Sequence, residues 1–243
     1  MTRLTQYPAL HVDLVTFRYK RTSAALRDFS WTFPAGRTLL LGPNGSGKST
    51  LLRVIAGLLK PHSGRVAYSS DKNAQMAKLP ARQIGYLPQE SPRVRGLSVQ
   101  QQVEYSAWLA GLNSNLLKTS IEAIDRVNLL DKLHTPTTSL SGGEARRLNL
   151  ACAIVHSPNF LLLDEPTTGL DPVERLNLAE IIGNRMGAQN IITATHEAEA
   201  LMDVSTDIAI LVGGKITDSF PATNRTTEWL DRYRSALSRE SHS

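Results

Sequence analysis

The stretch with the clearest chemical potential runs from Gly42 to Thr50, where three glycines precede a lysine and two hydroxyl residues. It fits the pattern G-x-x-x-x-G-K-[ST], in which backbone N–H groups surround phosphate oxygens and the lysine adds a point charge. The run Thr38 to Leu41 before it predicts a buried strand, and the run Leu51 to Ala56 after it predicts a helix. This strand–loop–helix order predicts a nucleoside triphosphate site rather than a glycine-rich turn with a surface lysine.

Each part of this loop has an expected contact with the nucleotide. The Lys48 ammonium is expected to reach the β- and γ-phosphates, and we also count it among the catalytic residues. The Ser49 hydroxyl is expected to bind Mg²⁺, and Thr50 to help hold the phosphates. The predicted nucleotide-binding residues of the loop are Gly42, Pro43, Asn44, Gly45, Ser46, Gly47, Lys48, Ser49 and Thr50.

Two adjacent carboxylates, Asp164 and Glu165, end a second apolar strand that begins at Phe160. A carboxylate in this position can hold Mg²⁺ directly or through water, and we expect Asp164 to do so. We expect Glu165 to act as the general base toward an attacking water. Alone, the pair would be a cap at a strand-to-turn junction, but a phosphate loop in the same chain favours the catalytic interpretation.

A third candidate feature is Leu140-Ser141-Gly142-Gly143-Glu144, where a helix is expected to begin. Ser141 and Glu144 have capping-box spacing, so the segment could be a helix start and nothing more. However, two glycines in a first helical turn cost on the order of 1 kcal/mol each relative to alanine. Close approach of the backbone to an anion would explain them, which predicts a second phosphate-binding helix N-terminus.

The composition is that of an ordinary globular chain, with 41% hydrophobic and 20% charged residues and a net charge of +5. No strong basic run is present, so we expect no nucleic-acid partner. A single cysteine, Cys152, excludes a disulfide framework, and the six histidines lack ligand spacing. No apolar run approaches the roughly 18 residues of a membrane span, and the first residues lack the apolar core of a signal peptide. We therefore expect a cytoplasmic protein that acts at a membrane only through another polypeptide.

The elements that must position these residues alternate between strands and helices. Residues 10–33 predict antiparallel strands, residues 90–156 are mostly helical, and residues 207–220 predict a hairpin around Gly213-Gly214. The predicted fold is α/β, a P-loop NTPase core with a mainly parallel sheet, an antiparallel β subdomain and an inserted α-helical subdomain. The expected division is a core of 1–89 and 157–220, an insert of 90–156 and a tail of 221–243.

Taken together, these motifs resemble those of the ATP-binding cassette (ABC) ATPases, the nucleotide-binding subunits of ABC transporters. The resemblance covers about residues 10 to 220, in the family's order. The matching segments are Gly42 to Thr50 for Walker A, Tyr86-Leu87-Pro88-Gln89 for the Q-loop, Leu140 to Glu144 for the signature, Leu161 to Pro166 for Walker B, Thr168 to Asp171 for the D-loop and Thr195-His196-Glu197 for the switch histidine.

The resemblance implies roles for further residues. Tyr19 would stack on adenine, with Phe17 as the fallback, although an aromatic here can also be a core strand residue. Gln89 would contact Mg²⁺ or the attacking water and sense a membrane partner. His196 would contact the γ-phosphate and order the attacking water together with Glu165, so it joins Glu165 and Lys48 as a predicted catalytic residue. The implied metal ligands are Ser49, Gln89 and Asp164.

The resemblance also implies partners. Ser141, Gly142 and Gly143 would bind the γ-phosphate of ATP held by a second subunit, so that two chains pack head to tail as a homodimer around two ATP molecules. An integral membrane permease would dock near Gln89 to Trp108, which places the chain on the inner face of the cell membrane. The lead-in Leu97-Ser98-Val99 and the short tail after residue 220 resemble export systems, which favours export over import.

Two alternatives stay open at this point. A soluble ATPase of the same family could act on nucleic acid or ribosomes, although such proteins usually carry two cassettes and this chain has one. A nucleotide switch that binds without hydrolysing is disfavoured by Glu165 and His196. The sequence also departs from the family at Glu144-Ala145, where Gln or Met often stands. As a helix cap, Glu144 is expected to face away from phosphate.

Overall fold

A computed structural model describes residues 9–19, 24–69, 77–90, 93–188, 190–222 and 228–240 of the chain. The side chains of Lys78, Glu228, Arg239 and Glu240 are not described. The expected loop between Ser69 and Lys78 lies largely outside the described residues, as does the N-terminal stretch 1–8. The chain forms two compact units, Met1–Ala81 with Gln189–Ser243, and Arg82–Ala188. The strand that ends in Asp164 thus groups with the helical segments.

The helices and strands of the described residues are, in chain order, β1 (Ala9–Arg18), β2 (Ala24–Phe33), β3 (Gly36–Leu41), α1 (Lys48–Ile55), β4 (Ser63–Ser69), β5 (Ala77–Lys78), β6 (Ile84–Leu87), α2 (Val99–Leu109), α3 (Leu116–Arg126), α4 (Gly142–Ile154), β7 (Phe160–Asp164), α5 (Pro172–Asn184), β8 (Asn190–Thr195), α6 (Glu199–Met202), β9 (Asp207–Val212), β10 (Lys215–Pro221) and α7 (Glu228–Glu240). Short 3₁₀ turns lie at Ala81–Gln83, Leu130–Lys132 and Thr137–Ser139.

The first unit contains an antiparallel sheet in the order β2-β1-β4-β5. Side chains of β1 alternate between core and surface in two runs, with Leu10 and Val12 buried in the first and Val15 and Phe17 in the second. The strand's period of two is interrupted at the register shift between Val12 and Val15, so both runs keep an apolar face toward the core. The antiparallel strands predicted for residues 10–33 are therefore confirmed.

The same unit also holds the strand that leads into the phosphate loop. Strand β3 lies between β8 and β9 and runs parallel to both, while β10 pairs antiparallel with β9. All residues of β8 are buried, as expected for a strand covered on both faces. The hairpin predicted around Gly213-Gly214 is confirmed, and both glycines have positive φ, 56° and 77°.

The second unit combines the parallel pair β6 and β7 with helices α2 to α5. Its helix starts follow the sequence signals. Ser98 and Gln101 form a capping box at α2, and the Asp171 carboxylate accepts hydrogen bonds from two first-turn N–H groups of α5, each at 3.0 Å. Helix α5 ends at Asn184.

The tail contains helix α7, which packs against the hairpin of the first unit. The Arg232 guanidinium donates to both carboxylate oxygens of Asp218, at 2.8 and 3.1 Å, and lies 4.2 Å from the centre of the Phe220 ring.

Among the described residues, no helix is both long enough and apolar enough to cross a membrane. The α/β fold class predicted from the sequence is confirmed by these sheets and helices.

Candidate functional site

The phosphate loop lies in the first unit, between the carboxyl end of β3 and the start of α1. Gly42 comes directly after Leu41 and lies close to the neighbouring strand β9. An added Cβ would lie 2.2 Å from the Leu211 carbonyl oxygen of that strand. Only glycine fits there, so the sequence requirement at this position is steric. The turn of the β9–β10 hairpin closes the loop from the same side, because the Gly214 N–H donates to the Ser46 carbonyl at 3.1 Å.

Lys48 is buried, with 5% of its surface exposed, and its ammonium is held inside the loop. Its Nζ donates to the carbonyl oxygens of Gly42 at 2.7 Å and Pro43 at 3.1 Å. The N-cap of α1 is Gly47, at φ 104°, which has no side chain to cap the helix. An anion would complete this helix start, because the first-turn N–H groups and the Lys48 charge lie at the same end.

Tyr19 and Phe17 differ in solvent exposure, and a ring that stacks on a base must be exposed. Phe17 is 8% exposed and belongs to the core, whereas Tyr19 is 43% exposed and packs edge-on against Phe17 with ring centres 5.0 Å apart. The Tyr19 hydroxyl lies 3.3 Å from the Thr50 hydroxyl oxygen. An exposed ring beside the phosphate loop can accept a base on its open face, so the geometry favours Tyr19 over the fallback.

His196 lies at the same sheet edge as the loop. Strands β3 and β8 are parallel, with Leu41 opposite Thr195, so Gly42 and His196 follow directly from paired residues. The Thr195 hydroxyl accepts a hydrogen bond from the Glu197 N–H at 3.0 Å, which fixes the turn that carries the exposed imidazole. The first unit therefore brings together Tyr19, the phosphate loop and His196.

The second unit brings together the paired carboxylates and the Q-loop. Asp164 and Glu165 are 0% and 4% exposed at the end of β7. The Tyr86 hydroxyl donates to Asp164 Oδ2 at 3.2 Å, and the Thr168 hydroxyl donates to Glu165 Oε2 at 3.2 Å. Both carboxylates are thus oriented by neutral donors. Glu165 has φ 48°, a left-handed conformation that is rare for a residue with a side chain.

Gln89 extends from the end of β6, where Leu87 pairs with Leu163 of β7. Its side chain is exposed, and its carbonyl oxygen accepts a hydrogen bond from Arg146 Nη1 at 2.9 Å. The parallel pairing places Gln89, which follows β6, and Asp164, the last residue of β7, at one edge of the pair.

Arg146 is the residue at this site that the sequence did not single out. It lies in the second turn of α4, is 8% exposed, and donates only to backbone carbonyls of the turns after β6 and β7. The acceptors are Pro88 at 2.8 Å and Gln89 at 2.9 Å for Nη1, Asp164 at 3.0 Å and Glu165 for Nη2, and Pro166 at 2.9 Å for Nε. No sequence signal separates it from Arg147, which instead approaches Glu174 at 3.9 Å.

The signature segment begins α4 with the predicted capping box. The Glu144 N–H donates to the Ser141 hydroxyl at 3.1 Å, and the Ser141 N–H donates to Glu144 Oε2 at 2.9 Å. Glu144 also pairs with Lys132 at 3.4 Å. These contacts, the Ser141 backbone bond above all, hold the pKa of Glu144 below its ordinary value. The carboxylate is therefore engaged in the cap, as expected for this departure from the family pattern.

The two glycines of the signature have different surroundings. A Cβ added to Gly143 would lie 2.5 Å from Glu174 Oε2, so a larger residue here would displace the Glu174 side chain. A Cβ added to Gly142 would meet no described atom within 4 Å, and Gly142 is exposed. Gly142 is thus the glycine whose backbone stays open to an outside group.

The three predicted metal ligands have side chains that suit Mg²⁺. The set Ser49, Gln89 and Asp164 offers hydroxyl, amide and carboxylate oxygens, the hard donors that Mg²⁺ takes alongside phosphates. Within the described residues, no cluster of three or more His, Cys, Asp or Glu side chains could hold a metal alone.

Comparisons with known proteins agree with these motifs. Residues 26–168 match the family model described as ABC transporter. The phosphonates import ATP-binding protein PhnC 1 of Rhodopseudomonas palustris is 31% identical, over 91% of this chain and 87% of that protein. The Nod factor export ATP-binding protein I of Sinorhizobium fredii is 36% identical, over 72% of this chain and 52% of that protein. The structure of cbiO1 from Clostridium perfringens, part of the ABC transporter complex cbiONQ, superposes with a TM-score of 0.77 at 25% identity, over 96% and 97% of the two chains.

Proposed function

The chain belongs to the ABC transporter family as an ATP-binding and ATP-hydrolysing cassette, and on this basis we propose that it powers transport through a separate membrane subunit. The observation that carries the catalytic part is the pair of buried carboxylates at the end of β7, in a chain with a phosphate loop. Asp164 and Glu165 have different hydrogen-bond partners, Tyr86 and Thr168, which suits them to different tasks.

In the proposed reaction, the loop N–H groups and Lys48 hold the phosphates of ATP, and His196 contacts the γ-phosphate. Glu165 takes a proton from water, the water oxygen bonds to the γ-phosphorus, and the bond from that phosphorus to the β–γ bridging oxygen breaks. ADP and phosphate are the products. Ser49, Gln89 and Asp164 are the residues that would hold Mg²⁺, and the ion would supply positive charge to the phosphates.

The test of the base is Glu165→Gln in the purified chain. The substitution keeps the shape of the side chain but removes the proton acceptor, so hydrolysis should fall by about 100-fold or more, while ATP affinity stays within about threefold. A matched control is Glu180→Gln, which changes an exposed glutamate of α5. Hydrolysis by Glu165→Gln at the wild-type rate would refute the assignment.

The second phosphate site is proposed to act in a head-to-tail dimer. Ser141 caps its own helix through its hydroxyl, and the exposed Gly142 leaves the backbone of that helix start open. The open backbone at Gly142 supports binding of the γ-phosphate of ATP held by a second copy of the chain, and the Ser141 hydroxyl, which accepts within the cap, can donate its own proton to that phosphate. Glu165→Gln with ATP should therefore accumulate a dimer on gel filtration, and a monomer under those conditions would contradict the proposal.

The membrane subunit is proposed to dock on an aromatic patch of α2. Tyr105, Trp108 and Leu109 are exposed by 47%, 57% and 62%, and the first two rings stack with centres 6.0 Å apart. Large exposed apolar groups grouped on one helix mark interaction sites. The patch is joined to the segment after Gln89, because Gln102 Oε1 accepts a hydrogen bond from the Val94 N–H at 3.2 Å.

Co-purification from membranes tests this surface. Trp108→Ser should remove most of the captured membrane polypeptide while leaving basal hydrolysis unchanged, because the patch lies on α2 and not in the hydrolytic residues. Leu58→Ser, at a leucine of 62% exposure in the other unit, is the control and should retain capture. Capture of ribosomes or nucleic acid in place of a membrane polypeptide would support the soluble alternative. Export stays a prediction, since relatives of similar identity serve import and export.

A further inference from the structure

Arg146 has an unusual set of contacts for a buried cation. A guanidinium has five N–H donors in a fixed plane, and here they meet five backbone carbonyls. Burial lowers the pKa of the guanidinium, and the nearby Asp164 and Glu165 carboxylates oppose that shift. A buried charge is tolerated only when its hydrogen bonds are satisfied, so these carbonyl positions and the charge stabilise each other.

The carbonyls on the β7 side surround a strained residue. Glu165 has φ 48°, a left-handed conformation that is unfavourable for a residue with a Cβ. Arg146 donates to the carbonyl of Glu165 itself and to those of its two neighbours, Asp164 and Pro166. Such a conformation persists only where surrounding contacts determine it, and Arg146 supplies three of those contacts.

The remaining two carbonyls belong to the other turn. Nη1 donates to Pro88 and Gln89, while Nη2 and Nε donate to the turn that carries Glu165. The guanidinium is rigid and planar. If the turn at Pro88-Gln89 pulls Nη1 with it, the hydrogen bonds that Nη2 and Nε make to the other turn must therefore change as well. The two turns are thus joined through one side chain.

From this geometry we propose that Arg146 is a positioning residue for hydrolysis, which holds Glu165 in its left-handed conformation and ties that conformation to the backbone at Gln89. The inference rests on the proposed role of Glu165 as the base. It adds that the position of the base depends on the turn at Pro88-Gln89, through backbone contacts and not through the Gln89 side chain.

The experiment compares Arg146→Met and Arg146→Lys with Arg185→Met. Methionine keeps most of the length but donates nothing, while lysine can serve up to three acceptors. We expect kcat to fall about 30-fold or more for Arg146→Met and less for Arg146→Lys, with the KM for ATP within about threefold in both. Arg185 donates to the Asp125 carbonyl and to Asn128, away from both turns, so its variant should keep the wild-type kcat. A rise in KM with kcat unchanged would overturn the proposal.

A double-variant cycle separates positioning from a general loss of structure. If Arg146 acts through the Glu165 carboxylate, Arg146→Lys should slow single-turnover hydrolysis strongly in the wild-type background and by less than about twofold in Glu165→Gln. Equal losses in both backgrounds would overturn the proposal, and this measurement stands even if Arg146→Met fails to fold. Wild-type hydrolysis by Glu165→Gln alone would instead refute the base, which is a separate outcome.

Discussion

The chain has two helix N-termini that are predicted to bind phosphate, and their caps are built in different ways. Helix α1 begins at Gly47, which has no side chain to cap it, and its Lys48 ammonium bonds to carbonyls of the loop. Helix α4 begins at Ser141 with a reciprocal capping box to Glu144. The first helix start leaves its capping to an external anion, whereas the second supplies its own cap.

This difference suggests an order of events. A helix start with a buried cation and no side-chain cap gains most from an anion, so ATP should bind first at α1. A helix start that is already capped gains less, and its contribution is expected when a second subunit presents a bound γ-phosphate. Changes at α1 and at α4 should therefore differ in their effects.

The largest effect is expected from removal of the lysine at α1. Lys48→Ala deletes the point charge on the phosphates and should lower ATP affinity, hydrolysis or both by about 100-fold or more. The matched variant at α4 is Lys132→Ala, which removes only the contact with Glu144 and should change affinity by less than about twofold. Binding of a fluorescent ATP analogue measures the affinity of both variants. Unchanged ATP turnover in Lys48→Ala would refute the site.

An intermediate effect should separate the two glycines of α4. Gly143→Ala forces a methyl group against Glu174, so this variant should unfold at a lower urea concentration than Gly142→Ala. The free energies of unfolding of the two variants should differ by about 1–3 kcal/mol. Gly142→Ala should be at least as stable as the wild type, because alanine is the better helix former and its Cβ meets no clash. It should lose hydrolysis, because the open backbone is the part offered to phosphate. Adding Glu174→Ala should remove most of the stability difference. Equal stability of the two alanine variants would contradict these assignments.

The smallest effect is a pH dependence of the α4 cap. The pKa of Glu144 lies below its ordinary value of 4.5 in the folded chain, so its ionised form is favoured by folding. This stabilisation is complete above the ordinary value and is lost as pH falls through the lowered pKa. The difference in urea midpoint between the wild type and Glu144→Gln should therefore be constant near neutral pH and shrink below about pH 4.5. A difference that grows on acidification would contradict the sign.

Local features of the fold were predictable from the sequence, and long-range ones were not. The cap predicted at Ser141 depends on residues within three positions and is confirmed, and the caps at Ser98 and Asp171 are equally local. The acceptors of Arg146 lie 18 to 58 positions away, so no pattern along the chain points to them. Helix α4 is also buried on more than one side, which hides the arginine from a search for an apolar face.

The site shows the same division. Its motif residues are recognisable from their spacing along the chain. Sequence reasoning gave both signature glycines one purpose, whereas Gly143 packs against Glu174 and Gly142 is open. Such a distinction depends on the carboxylate of another helix, which enters only with tertiary structure.

The hairpin turn at Gly213-Gly214 has a practical consequence for anyone who wishes to label this chain. Two glycines between short strands look like a tolerant place for an epitope tag or a fluorophore, since loop tips usually accept insertions. Here, however, the Gly214 N–H bonds to the Ser46 carbonyl, and a Cβ on Gly214 would lie 2.8 Å from the Ala25 carbonyl oxygen. A tag at this turn would therefore report on a damaged nucleotide pocket.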